Sequence, residues 1–218
     1  MPAELLKGGR LARTEKVLFR GAPAVRKTLR TTPRLPLLSP AIEGWLAGRE
    51  WRQLRRAEGI PGVVRPLARP APGVFLREWV PGVVLPRASP PPRAFYDELL
   101  AIVRALHGRG ITHNDLHKEA NVIVRPDGHP VLIDFQLSIT LPVDSALNRL
   151  LARFDVYHVL KNRRHRTGIP FDPAEQALVD STRRLRGIHR LTLKVPMNLL
   201  TRRLFPGALR KLPTDTDP

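Results

Sequence analysis

The fold is decided by residues 111–137, which read ITHNDLHKEANVIVRPDGHPVLIDFQL. Two short β-rich runs within this stretch flank an Asp-Gly pair, and that pattern predicts a hairpin. A hairpin brings its two ends together, so Asn121 before it and Asp134 after it should be neighbours. Asp115 belongs to the loop that leads into the hairpin. The stretch therefore clusters two carboxylates and one amide oxygen.

This cluster has the ligand chemistry of a site for a divalent cation. Hard oxygen ligands suit Mg²⁺, which usually takes one or two protein carboxylates and adds phosphate oxygens. With Asn121 and Asp134 as the candidate metal ligands, the remaining carboxylate, Asp115, is free to accept a proton from a hydroxyl.

The chain around this stretch is predicted to combine short strands with amphipathic helices. An apolar stripe at helical spacing predicts a helix over 94–107. One more helix and three strands are predicted before it, at 41–57, 17–19, 24–29 and 74–80. After the hairpin, we expect residues 143–211 to be mainly helical and basic.

Composition and charge restrict the class of protein. The 218 residues are 42% hydrophobic, which is enough for a buried core, and no apolar run reaches the roughly 18 to 20 residues of a membrane span. The absence of cysteine excludes disulfides, thiolate metal sites and cysteine catalysis. The net charge of +18 leaves two interpretations open, an anionic partner or a solvated arginine-rich surface. We expect a cytoplasmic protein, with peripheral attachment to the inner membrane as an alternative.

Residues 111–137 resemble the catalytic segment of protein kinases. Four positions match the pattern His-Arg-Asp-Leu-x-x-x-Asn and two match the start of Asp-Phe-Gly; they are His113, Asp115, Leu116, Asn121, Asp134 and Phe135. The resemblance is closest to small atypical bacterial kinases, near the RIO kinases and the lipopolysaccharide-core (Kdo/heptose) kinases. It implies an α+β, two-lobed protein-kinase-like fold, with a small β-rich N-lobe and a reduced, mainly helical C-lobe.

The resemblance also implies where the lobes begin and end. Residues 1–80 would form the N-lobe, with a nucleotide-binding sheet and one helix. Residues 81–212 would form the C-lobe, with the catalytic loop, the metal site and a basic helical tail, and residues 213–218 would be a frayed end. Between the lobes, the backbone of Glu78 and Val80 would meet adenine at the hinge.

Further nucleotide-binding residues are implied in the N-lobe. Kinases hold the α- and β-phosphates of ATP with a lysine on the third strand, and Lys27 is similarly placed. A helical glutamate pairs with that lysine, and Glu50 fits because it shares a helix face with apolar neighbours. Gly8 and Gly9 fall about where the glycine loop should lie, although the pattern Gly-x-Gly-x-x-Gly is not there.

In the C-lobe the resemblance implies Asp115 as the catalytic base, with Asn121 and Asp134 holding Mg²⁺. Asp115 and Asn121 are six positions apart instead of the usual five, and we place the extra residue at His117. That placement puts Lys118 where many kinases keep a lysine that contacts the transferred phosphate, so Lys118 is a second catalytic candidate.

Three other residues bear on how the protein is regulated and on how the catalytic loop is held in place. Asn114 replaces the arginine that commonly meets a phosphorylated activation loop, so regulation by that route is not expected. Gln136 replaces the glycine of Asp-Phe-Gly, which suggests a fixed segment. Asp155 leaves two interpretations open, a buried carboxylate that braces the catalytic loop or a surface residue.

The implied function is an ATP-dependent phosphotransferase that moves the γ-phosphate of Mg-ATP to a hydroxyl, foremost as a serine/threonine-type protein kinase. One alternative acceptor is a lipopolysaccharide-core sugar at the inner membrane face, because residues 190–205 mix leucines with cations that suit anionic lipid. Another alternative is a non-catalytic RNA- or ribosome-binding protein, motivated by the net charge but disfavoured by the intact set of site residues.

Overall fold

The computed structural model describes residues 3–8, 12–29 and 39–185. An antiparallel sheet with one helix forms the N-terminal part, and a mainly helical C-terminal part follows it. This arrangement confirms the expected α+β, two-lobed architecture. None of the helices in the described ranges combines the length and the apolar character that crossing a bilayer requires.

The N-terminal part consists of one five-stranded sheet and one helix. Its elements are β1 (Glu4–Gly8), β2 (Ala12–Phe19), β3 (Ala22–Leu29), α1 (Ser39–Ala57), β4 (Pro66–Ala71) and β5 (Val74–Glu78). The strand order is β1-β2-β3-β5-β4, and β3 is central. Helix α1 packs on this sheet through residues spaced by three and four positions, including Ala47, Glu50 and Leu54, which are all buried. Charged side chains of β3 and α1 therefore meet between the sheet and the helix.

The C-terminal part surrounds the predicted hairpin with helices. Its elements are β6 (Val83–Val84), α2 (Arg93–Gly108), β7 (Ile111–Thr112), β8 (Val122–Val124), β9 (Pro130–Leu132), β10 (Ile139–Thr140), α3 (Ala146–Thr167) and α4 (Pro173–Arg184). Strands β6, β8 and β9 form one small sheet, and β7 pairs with β10. Helix α2 packs against α3, and α3 packs against α4. Because β7 and β10 flank the 113–138 region, their pairing closes it into a compact unit.

The segment between α1 and β4 is hydrogen-bonded to the C-terminal part and so connects it to the N-terminal part. The main-chain N–H of Val64 donates to the carbonyl of Leu132 at 3.2 Å, and the N–H of Leu132 donates to the carbonyl of Gly62 at 2.8 Å. Gly62 has φ +78°, and a Cβ at this position would overlap the side chain of Ile102. The hydrophobic core is accordingly continuous between the N-terminal and C-terminal parts.

Most predicted elements are present, with differences at their ends. The helices predicted at 41–57 and 94–107 are α1 and α2, and the hairpin is β8 and β9. The strand predicted at 74–80 ends at Glu78. Strands β1 and β4 had no counterpart in the sequence prediction, and β4 pairs with β5 through two register irregularities. The basic stretch 190–205 lies outside the described residues, as does everything from residue 186 onward.

Candidate functional site

A buried lysine links the N-terminal sheet to both the helix α1 and the end of the hairpin. The Lys27 ammonium donates to the two carboxylate oxygens of Glu50 at 3.0 and 2.8 Å, and to Asp134 Oδ1 at 3.0 Å. Lys27 is 8% exposed and Glu50 is 2% exposed. Three residues that are far apart in sequence thus meet at one point, as the sequence predicts for Lys27 and Glu50.

The charges in this cluster stabilise one another against burial. Burial alone would lower the pKa of Lys27, but Glu50 and Asp134 outweigh it and raise that pKa. Burial likewise opposes ionisation of Asp134, yet the charge and hydrogen bond of Lys27 lower the pKa of Asp134 to about 2. For Glu50, burial raises the pKa and Lys27 opposes the rise. Since both oxygens of Glu50 lie within 3.0 Å of the ammonium, we take all three groups as ionised.

Local structure holds each partner in place. In the sheet, Lys27 lies opposite Phe75 of β5, and the side chains of directly paired residues lie on the same face. Asp134 has φ +65°, a left-handed conformation that turns the chain just after β9. From α1, Arg49 donates to the carbonyl of Gln136 at 2.7 Å and to that of Ser138 at 3.1 Å. The segment after Asp134 is therefore fastened to α1, which agrees with the fixed segment expected from Gln136.

The carboxylate of Asp115 lies in a second cluster on the 113–121 loop. Asp115 is 3% exposed. Its Oδ2 accepts hydrogen bonds from Lys118 at 2.8 Å and from the Asn121 amide at 3.0 Å. Its Oδ1 lies 3.3 Å from Nδ1 of His117, the residue inferred to be extra in this loop. One oxygen of Asp115 is thus occupied by two donors, and the other faces an imidazole.

The 113–121 loop is braced from α3 by Asp155. Its carboxylate is 1% exposed and accepts from the main-chain N–H of His113 at 2.7 Å and from that of Asn114 at 2.8 Å. Asn114 has φ +64°, a left-handed conformation that asparagine tolerates better than most residues, and its N–H is held there by Asp155. Of the two interpretations of Asp155, the structure favours the bracing one. A second contact from α3 joins Asn162 to the carbonyl of Leu116 at 3.0 Å.

The candidate metal ligands come close through the hairpin. The N–H of Ile133 donates to the carbonyl of Asn121 at 2.9 Å, which joins the residues that precede Asp134 to the end of the loop. The amide nitrogen of Asn121 is used by Asp115, so its oxygen is the atom left to bind a cation. Among the described residues, no group of three or more His, Asp or Glu side chains is placed to hold a metal. One ionised carboxylate and one amide oxygen still match the small protein share of a Mg²⁺ shell.

The remaining predicted nucleotide contacts lie outside these two clusters. The N–H of Glu78 donates to the carbonyl of Arg65 at 2.9 Å, and the carboxylate of Glu78 accepts from the N–H of Arg65 at 2.8 Å. Val80 is buried, 7% exposed, in the core that both parts share. Gly8 ends β1 opposite Arg13, whereas Gly9 lies outside the described residues. The roles of these four residues toward a nucleotide stay predictions.

Sequence reasoning missed two arginines of this region. Arg49 precedes Glu50 on α1 and looks like an ordinary solvated helix residue, although it fastens the segment after Asp134. Arg77 lies in β5 opposite Val25, on the sheet face that carries Lys27. The alternation of the strand 74–80 was the one available signal, because it places Arg77 and Phe75 on the same side.

Solved structures share the fold of this chain, but their sequence identities of 18–20% show no closer relationship. The chain is similar to the Rio2 kinase from Chaetomium thermophilum, with 20% identity and a TM-score of 0.61 over 79% of this chain and 60% of that one. It is also similar to the complex of that Rio2 kinase with ADP/Mg²⁺ and phosphoaspartate, with 18% identity and a TM-score of 0.61 over 80% and 59%.

The chain therefore spans about three fifths of the length of these structures. No protein-family profile and no curated protein matches its sequence. The buried Lys27–Glu50 pair, the Asp134 contact and the braced 113–121 loop lie in a chain that has the protein-kinase-like fold.

Proposed function

We propose that this chain transfers the γ-phosphate of Mg-ATP to a hydroxyl group. The observation that carries the proposal is the Lys27 ammonium, held within 3.0 Å of both Glu50 and Asp134 on the inner face of the sheet. A buried ammonium fixed in this way is a positioned cation for the α- and β-phosphates. Phosphoryl transfer depends mostly on such positioning and on electrostatic stabilisation.

Asp115 is the proposed base for the acceptor hydroxyl. The hydroxyl oxygen forms a new bond to the γ-phosphorus, the bond to the bridging oxygen of ADP breaks, and the hydroxyl proton passes to Asp115. Lys118 and Asn121 bind Oδ2 of this carboxylate and so orient it, which leaves Oδ1 beside His117 for the incoming proton. Lys118 is in addition a candidate contact for the transferred phosphate.

Asn121 and Asp134 are the residues proposed to hold Mg²⁺. Bound there, the cation would neutralise charge on the phosphate oxygens. Asp134 contributes an ionised carboxylate, because Lys27 keeps its pKa at about 2. Asn121 contributes its amide oxygen, whose direction is set by the two hydrogen bonds that the amide nitrogen donates to Asp115.

A serine or threonine side chain of a protein is the proposed acceptor, as the kinase-like fold suggests. The alternatives are a lipopolysaccharide-core sugar at the inner membrane face and a non-catalytic role in RNA or ribosome binding. The sugar alternative rests on residues 190–205, which lie outside the described residues, and the RNA alternative rests on the net charge of +18. The clustered site favours a catalytic role.

Transfer is tested by incubating the full chain with labelled ATP and Mg²⁺, alone and with a lysate separated into protein and lipid fractions. Label in protein supports the proposed acceptor, and label in lipid supports the sugar alternative. Asp134→Ala and Asp115→Asn should each abolish transfer. Asp127→Asn, an exposed carboxylate at the turn of the same hairpin, is the matched control and should transfer at the wild-type rate.

Two results would contradict the proposal. Transfer by Asp134→Ala at the wild-type rate would show that this carboxylate does not hold the metal. Absence of transfer by the wild-type chain to either fraction, together with RNA binding that needs no ATP and weakens steeply with salt, would favour the non-catalytic alternative.

A further inference from the structure

The residue inferred to be extra in the 113–121 loop lies against the proposed base. Nδ1 of His117 is 3.3 Å from Oδ1 of Asp115. The side chain of Asp115 is 4% exposed, whereas that of His117 is 36% exposed. His117 therefore approaches the buried carboxylate with one ring nitrogen and still reaches solvent.

The two oxygens of Asp115 have different surroundings. Oδ2 accepts from Lys118 at 2.8 Å and from the amide of Asn121 at 3.0 Å. Oδ1 is shielded from solvent and accepts no hydrogen bond from the described part of the chain. Nδ1 of His117 is near enough to bond with this oxygen once the two groups align, and catalytic contacts are often misaligned before a substrate binds. Oδ1 is thus the oxygen with room for a proton, and an imidazole nitrogen lies beside it.

Helix α3 sets the position of the His117 ring. The centroid of the His158 ring lies 5.7 Å from that of His117, at an interplanar angle of 52°. His158 comes three positions after Asp155 and four before Asn162, so the three residues share one face of α3. Asp155 and Asn162 bind main-chain atoms of the same loop. The ring of His117 therefore lies against the helix face that holds the catalytic loop.

A proton on Asp115 is unfavourable while Lys118 lies beside it. Protonation removes the negative charge from a buried carboxylate whose Oδ2 is 2.8 Å from an ammonium. Water cannot collect the proton directly, because Oδ1 is shielded. An imidazole is a stronger base than a carboxylate, and that of His117 has access to solvent. Transfer of the proton to His117 would restore the ion pair between Asp115 and Lys118.

We propose that His117 receives from Asp115 the proton of the acceptor hydroxyl and passes it to solvent. In this step the bond between the proton and Oδ1 breaks, a bond to Nδ1 forms, Asp115 returns to the carboxylate and His117 becomes an imidazolium. The imidazolium then gives a proton to water. This inference rests on the proposed phosphotransferase function, in which Asp115 remains the base that meets the acceptor. His117 acts through Asp115 and is a positioning residue for the reacting proton.

The test follows the pH dependence of transfer by the full-length wild type and His117→Gln, measured as label from ATP with Mg²⁺ in the lysate fraction that the wild type labels. At pH of about 8 the wild type should be about tenfold faster, because a glutamine amide is not a base. That ratio should approach one near pH 5, where an imidazole is largely protonated and cannot accept. The titratable groups around the ring, Asp115 and Lys118 of its own loop and His158 of α3, are the same in both proteins.

Rescue by free imidazole separates proton transfer from a structural role. Added imidazole should restore several-fold the rate of His117→Ala, because the space left by the ring is open to solvent, and should leave the rate of His117→Gln unchanged. His129→Gln is the matched control, since Nδ1 of this exposed histidine lies 2.7 Å from the carboxylate of Glu98. It should keep the wild-type rate and pH dependence.

A wild-type rate and pH dependence in His117→Gln would overturn this inference alone. A slow His117→Ala that imidazole does not restore, with a wild-type to His117→Gln ratio that is the same at both pH values, would also overturn it, because the ring would then only support the loop. Absence of transfer by the wild type to either fraction would overturn it together with the proposed function.

Discussion

Replacing Asp155 with alanine should loosen the 113–121 loop without touching any group that meets a substrate. The Asp155 carboxylate is 1% exposed and accepts from the main-chain N–H groups of His113 and Asn114 at 2.7 and 2.8 Å. Its Oδ2 also lies 3.2 Å from Nε2 of His107. Alanine leaves two main-chain donors, the buried one of His113 and the partly buried one of Asn114, without this acceptor.

The size of the effect follows from those two donors. A buried donor that loses its partner costs about 1–3 kcal/mol, so Asp155→Ala should lower the free energy of unfolding by about 2–6 kcal/mol. That is a large part of the roughly 5–15 kcal/mol that stabilises a typical domain. Asp155→Asn keeps one acceptor oxygen and should lose about 1–3 kcal/mol, which leaves a folded protein for kinetic work.

Urea denaturation measures the loss, and amide hydrogen exchange locates it. Exchange at His113 and Asn114 should accelerate in Asp155→Asn more than exchange in α2 does. The control is Asp97→Ala, whose carboxylate is 54% exposed and pairs with Arg93 at 3.7 Å; it should change the free energy of unfolding by less than about 0.5 kcal/mol. If Asp155→Ala unfolds within about 1 kcal/mol of the wild type, the bracing role is wrong.

The remaining predictions concern the buried lysine and a close approach of two main chains. Lys27→Met should lower the free energy of unfolding in urea by about 3–5 kcal/mol, because it leaves Glu50 buried without its counter-charge. The double variant Lys27→Met, Glu50→Leu should recover most of that lost stability but should show no transfer activity. The same Lys27→Met change should raise the pKa of Asp134 from about 2, and NMR titration of its carboxyl carbon measures that pKa. A carboxylate whose pKa is depressed adds stability at pH values above its unfolded pKa near 4, and this stability is lost as the pH falls through about 2. The contribution of Asp134 to the free energy of unfolding should therefore shrink in the variant. Gly110→Ala should destabilise the chain by about 1–3 kcal/mol more than Gly59→Ala in thermal or urea unfolding. Both glycines have positive φ, but of the two only Gly110 is placed so that a Cβ would overlap a main-chain oxygen. Equal losses would show that the space around Gly110 does not matter.

Sequence patterns predicted the positions of residues that depend on local structure, such as the two ends of a hairpin or one face of a helix. The hairpin brings Asn121 to the segment of Asp134 whatever surrounds it, and helical spacing places Glu50 on the inner face of α1. Lys27 followed from the strand pattern together with the kinase resemblance. These predictions needed local periodicity, the order of motifs along the chain and, for Lys27 and Glu50, the kinase resemblance.

What the sequence could not predict depends on partners that are distant in the chain. Asp155 has donors more than forty positions away, so its burial could not be inferred from its own helix. Strand β4 escaped prediction because Pro66–Ala71 contains two prolines and pairs irregularly with β5. Arg77 looks like a solvated strand charge until the register with β3 shows which face it shares.

The charges around Lys27 also indicate how a metal would compete for the site. Glu50 and Asp134 supply two negative charges, and the positive charges of Lys27, Arg77 and Arg49 act on them, so both carboxylates are offset before any ligand arrives. Because the pKa of Asp134 is about 2, the carboxylate is already ionised at every pH above about 4. A cation that binds Asp134 therefore displaces no proton, and Lys27 contacts only Oδ1 of this carboxylate. Metal affinity at this carboxylate should therefore depend little on pH between about 5 and 8, and calorimetric titration with Mg²⁺ at several pH values would check this.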